Sequence, residues 1–269
     1  MTDDKMLLGW NALMNKALVQ AYLSTERPDY LILAEKNMAF LLKRYNSNTH
    51  FYYHTFKQNE AKIPAYADDL AYLADALICI GNATAETTYL LKAKEIADYM
   101  NSFFLSEESI LFQFANTHFV QVEINKQEIY DGATPSPNSV MCRIMNQLSY
   151  VFQDDSYRTK SHNMLSHLSG VFQKYPESFG LWCTEFQNQS QPFKEVIIIG
   201  NDAMKYYLAL HTKKYHPAVI YINTHKEEDL IASLMGKYRD RETLINICNE
   251  FNCLQPLRDV NMAFTEIYN

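Results

Sequence analysis

Glycine is scarce in this chain, 7 of 269 residues. A turn-rich barrel or sandwich needs more, so the shortage points to helices joined by ordered loops. Long blocks of one charge are also missing. No run of five Lys or Arg occurs, and 24 basic against 31 acidic residues leave a net charge of -7. That balance argues against nucleic acid or an anionic membrane as a partner. No stretch approaches the 18 uninterrupted apolar residues of a membrane span, and the start, Met1-Thr2-Asp3-Asp4-Lys5, is acidic where a leader would be basic. Neither a span nor a signal peptide is expected. The five cysteines, Cys79, Cys142, Cys183, Cys248 and Cys253, are odd in number and scattered. Such a set suits reduced thiols in a cytoplasmic protein. Cys248 and Cys253, with His216 and His225 in the same region, lack the tight ligand spacing of a zinc site. C-x-x-C, P-loop, G-x-S-x-G and H-E-x-x-H motifs are all absent, and neither a metal nor a cofactor is expected.

What is present is apolar residue in helical rhythm, 48% of the chain, enough for one large domain or a domain with a smaller lobe. Residues 7–24, 65–80 and 136–152 are apolar nearly all round, whereas 29–45, 87–104 and 155–175 keep a charged side. The first set reads as buried inner helices and the second as amphipathic outer ones. A seventh helix is expected over 176–186, with Pro176 in its first turn. The outer helices repeat an aromatic and a small residue: Tyr30-Leu31 with Ala34, Tyr89-Leu90 with Ala93, and Tyr157 with Ser161. These signatures recur about 60 to 70 residues apart, longer than common solenoid repeats. Repeated inner–outer pairs with long connections fit a mainly α fold, a partial α/α toroid over residues 1–190 whose loops line one mouth.

After about residue 191 the pattern changes. Residues 195–200 and 218–222 are short β-branched runs that read as buried parallel strands, and 244–247 is a candidate third strand. Helices are expected at 201–215, 226–238 and from Asp259. Residues 191–269 therefore read as a small α/β lobe of βαβα type with a right-handed crossover.

The candidate chemistry gathers around two carboxylates. Asp68 and Asp69 fall in the second turn of an otherwise apolar helix, where an ionised group needs hydrogen bonds or a wet cavity. Asp68, Tyr72 and Asp75 share a face and Asp69 points elsewhere; Asp69 is either a brace for a neighbouring loop or the catalytic member. Asp131 precedes the turn Gly132-Ala133-Thr134-Pro135-Ser136-Pro137-Asn138-Ser139, which feeds the third inner helix. It is either a turn aspartate or the acid/base partner of Asp69. Ser136 and Asn138 can cap that helix or touch a ligand. Trp10, Tyr66 and Trp182 suit either the core or stacking on a sugar face. Asn11 and Asn15, four apart on the first inner helix, line the interior or bond to each other. Gly200-Asn201-Asp202 joins a strand to a helix, either a plain βα turn or a weak anion site.

Taken in order, Asp3-Asp4-Lys5 with Trp10-Asn11-Ala12-Leu13, Asp68-Asp69-Leu70-Ala71, Pro135-Ser136-Pro137-Asn138-Ser139, the 195–200 strand, and Cys248 with Cys253-Leu254-Gln255-Pro256 resemble the C-terminal part of the YyaL-type, spermatogenesis-associated protein 20-like family. The resemblance runs from about Asp3 to Glu266. It implies an α/α toroid of the six-hairpin glycosidase kind, related in shape to N-acylglucosamine 2-epimerases and preceded in the family by a thioredoxin-like domain. The family has glycine where Ala12 and Pro137 stand here. The chain also lacks that thioredoxin-like domain and the first helical pairs with their motif rich in His, Phe, Glu and Lys. Its helices are fewer than a closed ring takes, so a fragment or reduced relative with open edges is expected.

Two functions follow. The first is a sugar-active enzyme or its remnant, epimerase-like or hydrolase-like, with Asp69 and Asp131 as acid and base and with Trp10, Asn11, Tyr66, Ser136 and Asn138 contacting a sugar-like small molecule. The second is a non-catalytic binding or scaffold module that forms a homo-oligomer or works with an upstream thioredoxin-like or helical polypeptide. Nucleotide or phosphate binding by the lobe is a third reading, resting on Gly200.

Overall fold

The computed structural model describes residues 4–48, 51–106, 109–116, 118–119, 124–191, 193–214, 218–249 and 252–268. Asp3 and His216, both used in the sequence reading, lie outside these. Among the described residues, seven α-helices build the first part: α1 (Leu8–Thr25), α2 (Pro28–Arg44), α3 (Ala67–Thr84), α4 (Thr87–Phe103), α5 (Pro137–Phe152), α6 (Asp155–Phe172) and α7 (Gly180–Gln189). α1, α3 and α5 each pack on the next odd helix and on the even helix that follows, so α1, α3, α5 and α7 form an inner arc and α2, α4 and α6 an outer one. The chain is a mainly α protein with a partial α/α toroid.

The repeated small residues let the two arcs approach closely. Ala34 and Ala93 are fully buried, and the Ala34 carbonyl accepts from Asn15 Nδ2 at 2.8 Å. Ser161 Oγ donates to the Cys142 carbonyl at 2.8 Å, tying α6 to α5. Scarce glycine leaves a trace at the hairpin bends. The inner helices α1, α3 and α5 stop at Glu26, Ala85 and Gln153, with φ of 58°, 59° and 52°, a left-handed conformation that glycine adopts without strain. Replacing Gln153 by Gly is therefore expected to raise stability by about 0.5–1 kcal/mol, read from chemical denaturation.

Two-residue bends join the inner helices to the outer ones, but the returns from outer to inner are long. The first return carries a hairpin that helical periodicity does not reveal. β3 (Phe51–Lys57) and β4 (Glu60–Pro64) pair antiparallel with Lys57 opposite Glu60, while short β1 (Met6–Leu7) and β2 (Asn46–Ser47) pair with β3. The seventh helix is also later than the sequence suggests: Pro176–Ser178 forms a single 3-10 turn before α7 starts at Gly180.

Beyond α7 stands a four-stranded sheet, β6-β5-β7-β8. β5 (Lys194–Ile199) and β6 (Val219–Thr224) are parallel, with α8 (Ala203–His211) between them in the chain, as expected. β7 (Leu244–Asn249) runs antiparallel to β5, so the lobe is not a continued βαβα unit. The helix expected over 226–238 is replaced by a loop with one 3-10 turn, Ala232–Leu234. Its apolar residues have helical spacing, yet only Ile231 and Leu234 are buried while Leu230 and Met235 stay exposed. Too little burial supports a full helix there. β8 (Asn252–Cys253) folds back on β7 and sets Cys248 opposite Cys253, where the two form a disulfide in place of the expected free thiols. α9 (Val260–Tyr268) closes the lobe. Among the described residues, no helix is long and apolar enough to cross a membrane.

Gly200, read as a βα turn or anion site, has a packing role. Its φ is +135°, and a Cβ there would lie 2.2 Å from the Glu242 carbonyl oxygen. The backbone entering β7 runs directly over it. The Asp202 amide is taken by Thr243 Oγ1 at 2.9 Å, so this amide is not open to an anion.

Candidate functional site

The long returns into α3, α5 and α7 meet at one end of the inner arc. The Ala67 amide donates to the Phe114 carbonyl and the Asp131 amide to the Ser178 carbonyl, both at 2.9 Å. This end is the mouth of the partial ring. The lobe contacts the opposite ends of the helices, where Asn223 Nδ2 donates to the Asn82 carbonyl at 2.8 Å.

Asp69 is 1% exposed, and both of its carboxylate oxygens are engaged. Oδ1 accepts from the Gly9 amide at 2.8 Å, and Oδ2 accepts from the Tyr66 amide at 3.0 Å and from His54 Nδ1 at 2.7 Å. The contact with Tyr66 is the returning half of a capping box, placed by the position of Asp69 in the first turn of α3. One carboxylate thus ties α1, β3 and α3 together. A Cβ at Gly9 would come within 3.1 Å of Asp69 Oδ1, so a side chain there would push the carboxylate by a few tenths of an ångström. The carboxylate holds the His54 imidazole above its ordinary pKa, against the opposing effect of burial.

Asp131 acts similarly at the proline turn. Its Oδ1 accepts from the Ser136 amide at 2.8 Å and from Ser139 Oγ at 2.6 Å, and its Oδ2 accepts from the Leu181 amide at 2.8 Å in the first turn of α7. It joins the starts of α5 and α7 through hydrogen bonds to a helix N-terminus. Ser136 is the N-cap of α5, its Oγ accepting from the Ser139 amide at 2.9 Å. Asn138 is fully buried and bonds the amide and carbonyl of Phe112 and the carbonyl of Glu128. These polar residues shape the mouth by fixing its loops.

Of the two carboxyls in the first turn of α3, the one that lines open space is Asp68. It borders a cleft of about 290 Å³ with Tyr72, Phe114, Glu128, Tyr130 and the turn 132–137, including Ser136. Burial and then the neighbouring Asp69 charge push its pKa up to about 6. Tyr72 donates its hydroxyl to the Pro135 carbonyl at 2.5 Å and joins the two walls. Tyr66 stacks on Phe114, ring centroids 4.8 Å apart, and meets His54 edge-on, so it supports the aromatic wall from behind. Tyr130 is 57% exposed at the rim.

The other sequence candidates fall elsewhere. Trp182 is fully buried, its indole N–H donating to the Ile129 carbonyl at 2.9 Å, and is a core residue. Trp10 is 68% exposed on α1 and is not among the residues lining the cleft. Asn11 bonds back to the Leu7 carbonyl, and Asn15 bonds Asn37 on α2, so neither bonds the other directly. Asp68 was visible in the sequence as the partner of Tyr72 on one helical face; His54 was not, because it sits on the hairpin that helical periodicity misses.

The comparisons agree with this architecture. No protein-family model matches the sequence. An uncharacterized protein of Caenorhabditis elegans is 23% identical over 287 residues, covering 99% of this chain and 38% of its own length. Among solved structures, the cellobiose 2-epimerase of Bacillus thermoamylovorans superposes with a TM-score of 0.50 at 15% identity, covering 60% of this chain and 44% of its own. An α-mannanase of Bacteroides thetaiotaomicron gives 0.51 at 18% identity with the same coverage, and the cellobiose 2-epimerase of Spirochaeta thermophila gives 0.50 at 17%, covering 61% and 43%. The chain spans less than half the length of each of these proteins. It carries the α/α-toroid fold of these sugar epimerases and glycosidases.

Proposed function

We propose that this chain is the C-terminal portion of a carbohydrate-active α/α-toroid protein of the YyaL-type family, epimerase-like or glycosidase-like, with its sugar held at the mouth. The observation that carries the reading is Asp68, a carboxyl poised near pH 6 at the wall of a cleft built by the starts of α3 and α5. Such a group exchanges a proton readily near neutrality, as general acid/base chemistry at a sugar requires. Phe114 and Tyr130 give the cleft aromatic surface for an apolar sugar face. Likeness of fold adds support by analogy alone. Asp69 and Asp131, the acid/base pair expected from the sequence, fit this reading as positioning residues, because their oxygens hold the loops that shape the cleft. A thermal-shift screen with monosaccharides, disaccharides and amino sugars is expected to show saturable stabilisation that is lost in Asp68→Asn. No shift with any sugar would count against the proposal.

The alternative, a binding module that works beside a thioredoxin-like or helical partner, draws on exposed apolar side chains of α1 and α2. Trp10, Met14 and Leu33 are 68%, 59% and 50% exposed there. Exposed apolar side chains on the first hairpin, at the edge of the arc, suit contact with another protein surface. This reading expects self-association through that edge, seen by light scattering and abolished by Trp10→Glu with Met14→Glu; a monomer at high concentration contradicts it.

A further inference from the structure

A second cavity lies between the inner helices and the α/β lobe and shares no lining residue with the cleft at the mouth. Its volume is about 210 Å³, and α1, α3, α5, α7, α8 and β6 all contribute to its wall. That is smaller than the roughly 300–1,000 Å³ of drug-sized pockets and suits a ligand of monosaccharide size.

Its polar groups are unevenly matched. Lys16 Nζ and Arg143 Nη2 both reach the same oxygen of Asp75, at 2.7 and 2.6 Å. Two cations thus share one carboxylate. Glu185, 2% exposed on the same wall, makes no ion pair among the described residues. On the α5 and α7 sides, Gln147 Oε1 and Asn188 Oδ1 are buried atoms with no hydrogen-bond partner, and Asn188 is only 6% exposed. Buried amide oxygens without partners are costly and rare. A ligand hydroxyl satisfies such an amide in either orientation, because it can both donate and accept. Tyr207, His211 and Tyr221 cluster with centroids 5.3–5.9 Å apart and give the lobe side an aromatic surface.

We infer that this cavity is a binding site for a small polyhydroxylated monocarboxylate, a sugar acid, separate from the mouth. Its hydroxyls meet Gln147 and Asn188, and its carboxylate meets the two remaining N–H donors of Lys16. The charge state of the wall agrees. Burial pushes the Glu185 carboxyl up to about 7, aided by the Asp75 charge and opposed by Arg143, by Lys16 and by a hydrogen bond from the Asn188 side chain. With Glu185 protonated, the cluster holds one positive charge in excess, which a ligand with one negative charge neutralises.

Calorimetric titration of the chain with gluconate, glucuronate, glucose, sorbitol and acetate tests the assignment. Gluconate or glucuronate is expected to bind saturably, with glucose, sorbitol and acetate each weaker by about tenfold or more, the size of one lost charge-assisted hydrogen bond. Gln147→Leu and Asn188→Leu are each expected to weaken the sugar acid by a similar factor with an unchanged melting temperature. The two variants are independent, so failure of one to fold leaves the other decisive. Asp68→Asn is expected to leave this binding intact, which keeps the result separate from that of the mouth. No saturable binding by either acid, or equal binding of glucose and gluconate, overturns the proposal.

Discussion

Gly200→Ala is expected to destabilise the protein by about 4 kcal/mol or more, one of the largest effects of any single methyl addition. Two penalties combine. The residue sits at φ +135°, a conformation closed to ordinary side chains, and an added Cβ would stand 2.2 Å from the Glu242 carbonyl oxygen and 2.6 Å from Thr243 Cα. Both obstacles are backbone, so no side-chain rotation relieves them. β7 would have to move away from β5, breaking the ladder that pairs Ile199 with Leu244. Chemical denaturation checks this, and a loss below about 1 kcal/mol would show that the close approach at Gly200 is absent.

Asp69→Ala is expected to cost about 3–5 kcal/mol, since it strands the Gly9 and Tyr66 amides and the imidazole of His54 at a site where Asp69 itself is 1% exposed. Asp69→Asn keeps an acceptor and should lose less. The pair with His54 also sets a pH dependence. The His54 pKa is raised in the folded state, so its stabilising contribution is fully present below the unfolded value of about 6.5 and is lost as pH rises through the higher folded value. Wild-type stability should therefore fall over that window, and the slope should flatten in Asp69→Ala. An identical pH profile in the two proteins would contradict the pairing.

Residue patterns made the helical arcs legible. Inner helices such as α3 are apolar on nearly every side, α4 keeps Lys92, Lys94, Glu95 and Asp98 outward, and Ala34, Ala93 and Ser161 mark where the layers touch. The hairpin β3–β4 was hidden because its two-residue turn uses Gln58 and Asn59, with φ of 50° and 61°, in place of the usual Asn-Gly. His54 was hidden with it. The disulfide depended on the β7–β8 register, which aligns Cys248 with Cys253 and leaves no mark in composition. At the mouth, helical spacing put Asp68 with Tyr72 and apart from Asp69. It did not show that Asp69 would be used up by three hydrogen bonds from separate elements, because those partners lie 60, 15 and 3 residues away in the chain.

The proposed function requires that the mouth binds a sugar and that Asp68 exchanges a proton there. Proton NMR in D2O tests it most directly, following a panel of aldoses and disaccharides with wild-type protein and with Asp68→Asn. Saturation transfer to a sugar, accompanied by deuterium uptake or new anomeric signals that vanish in the variant, is the predicted result. Wild-type protein that transfers saturation to no sugar, or an Asp68→Asn variant that behaves identically to it, would contradict the account.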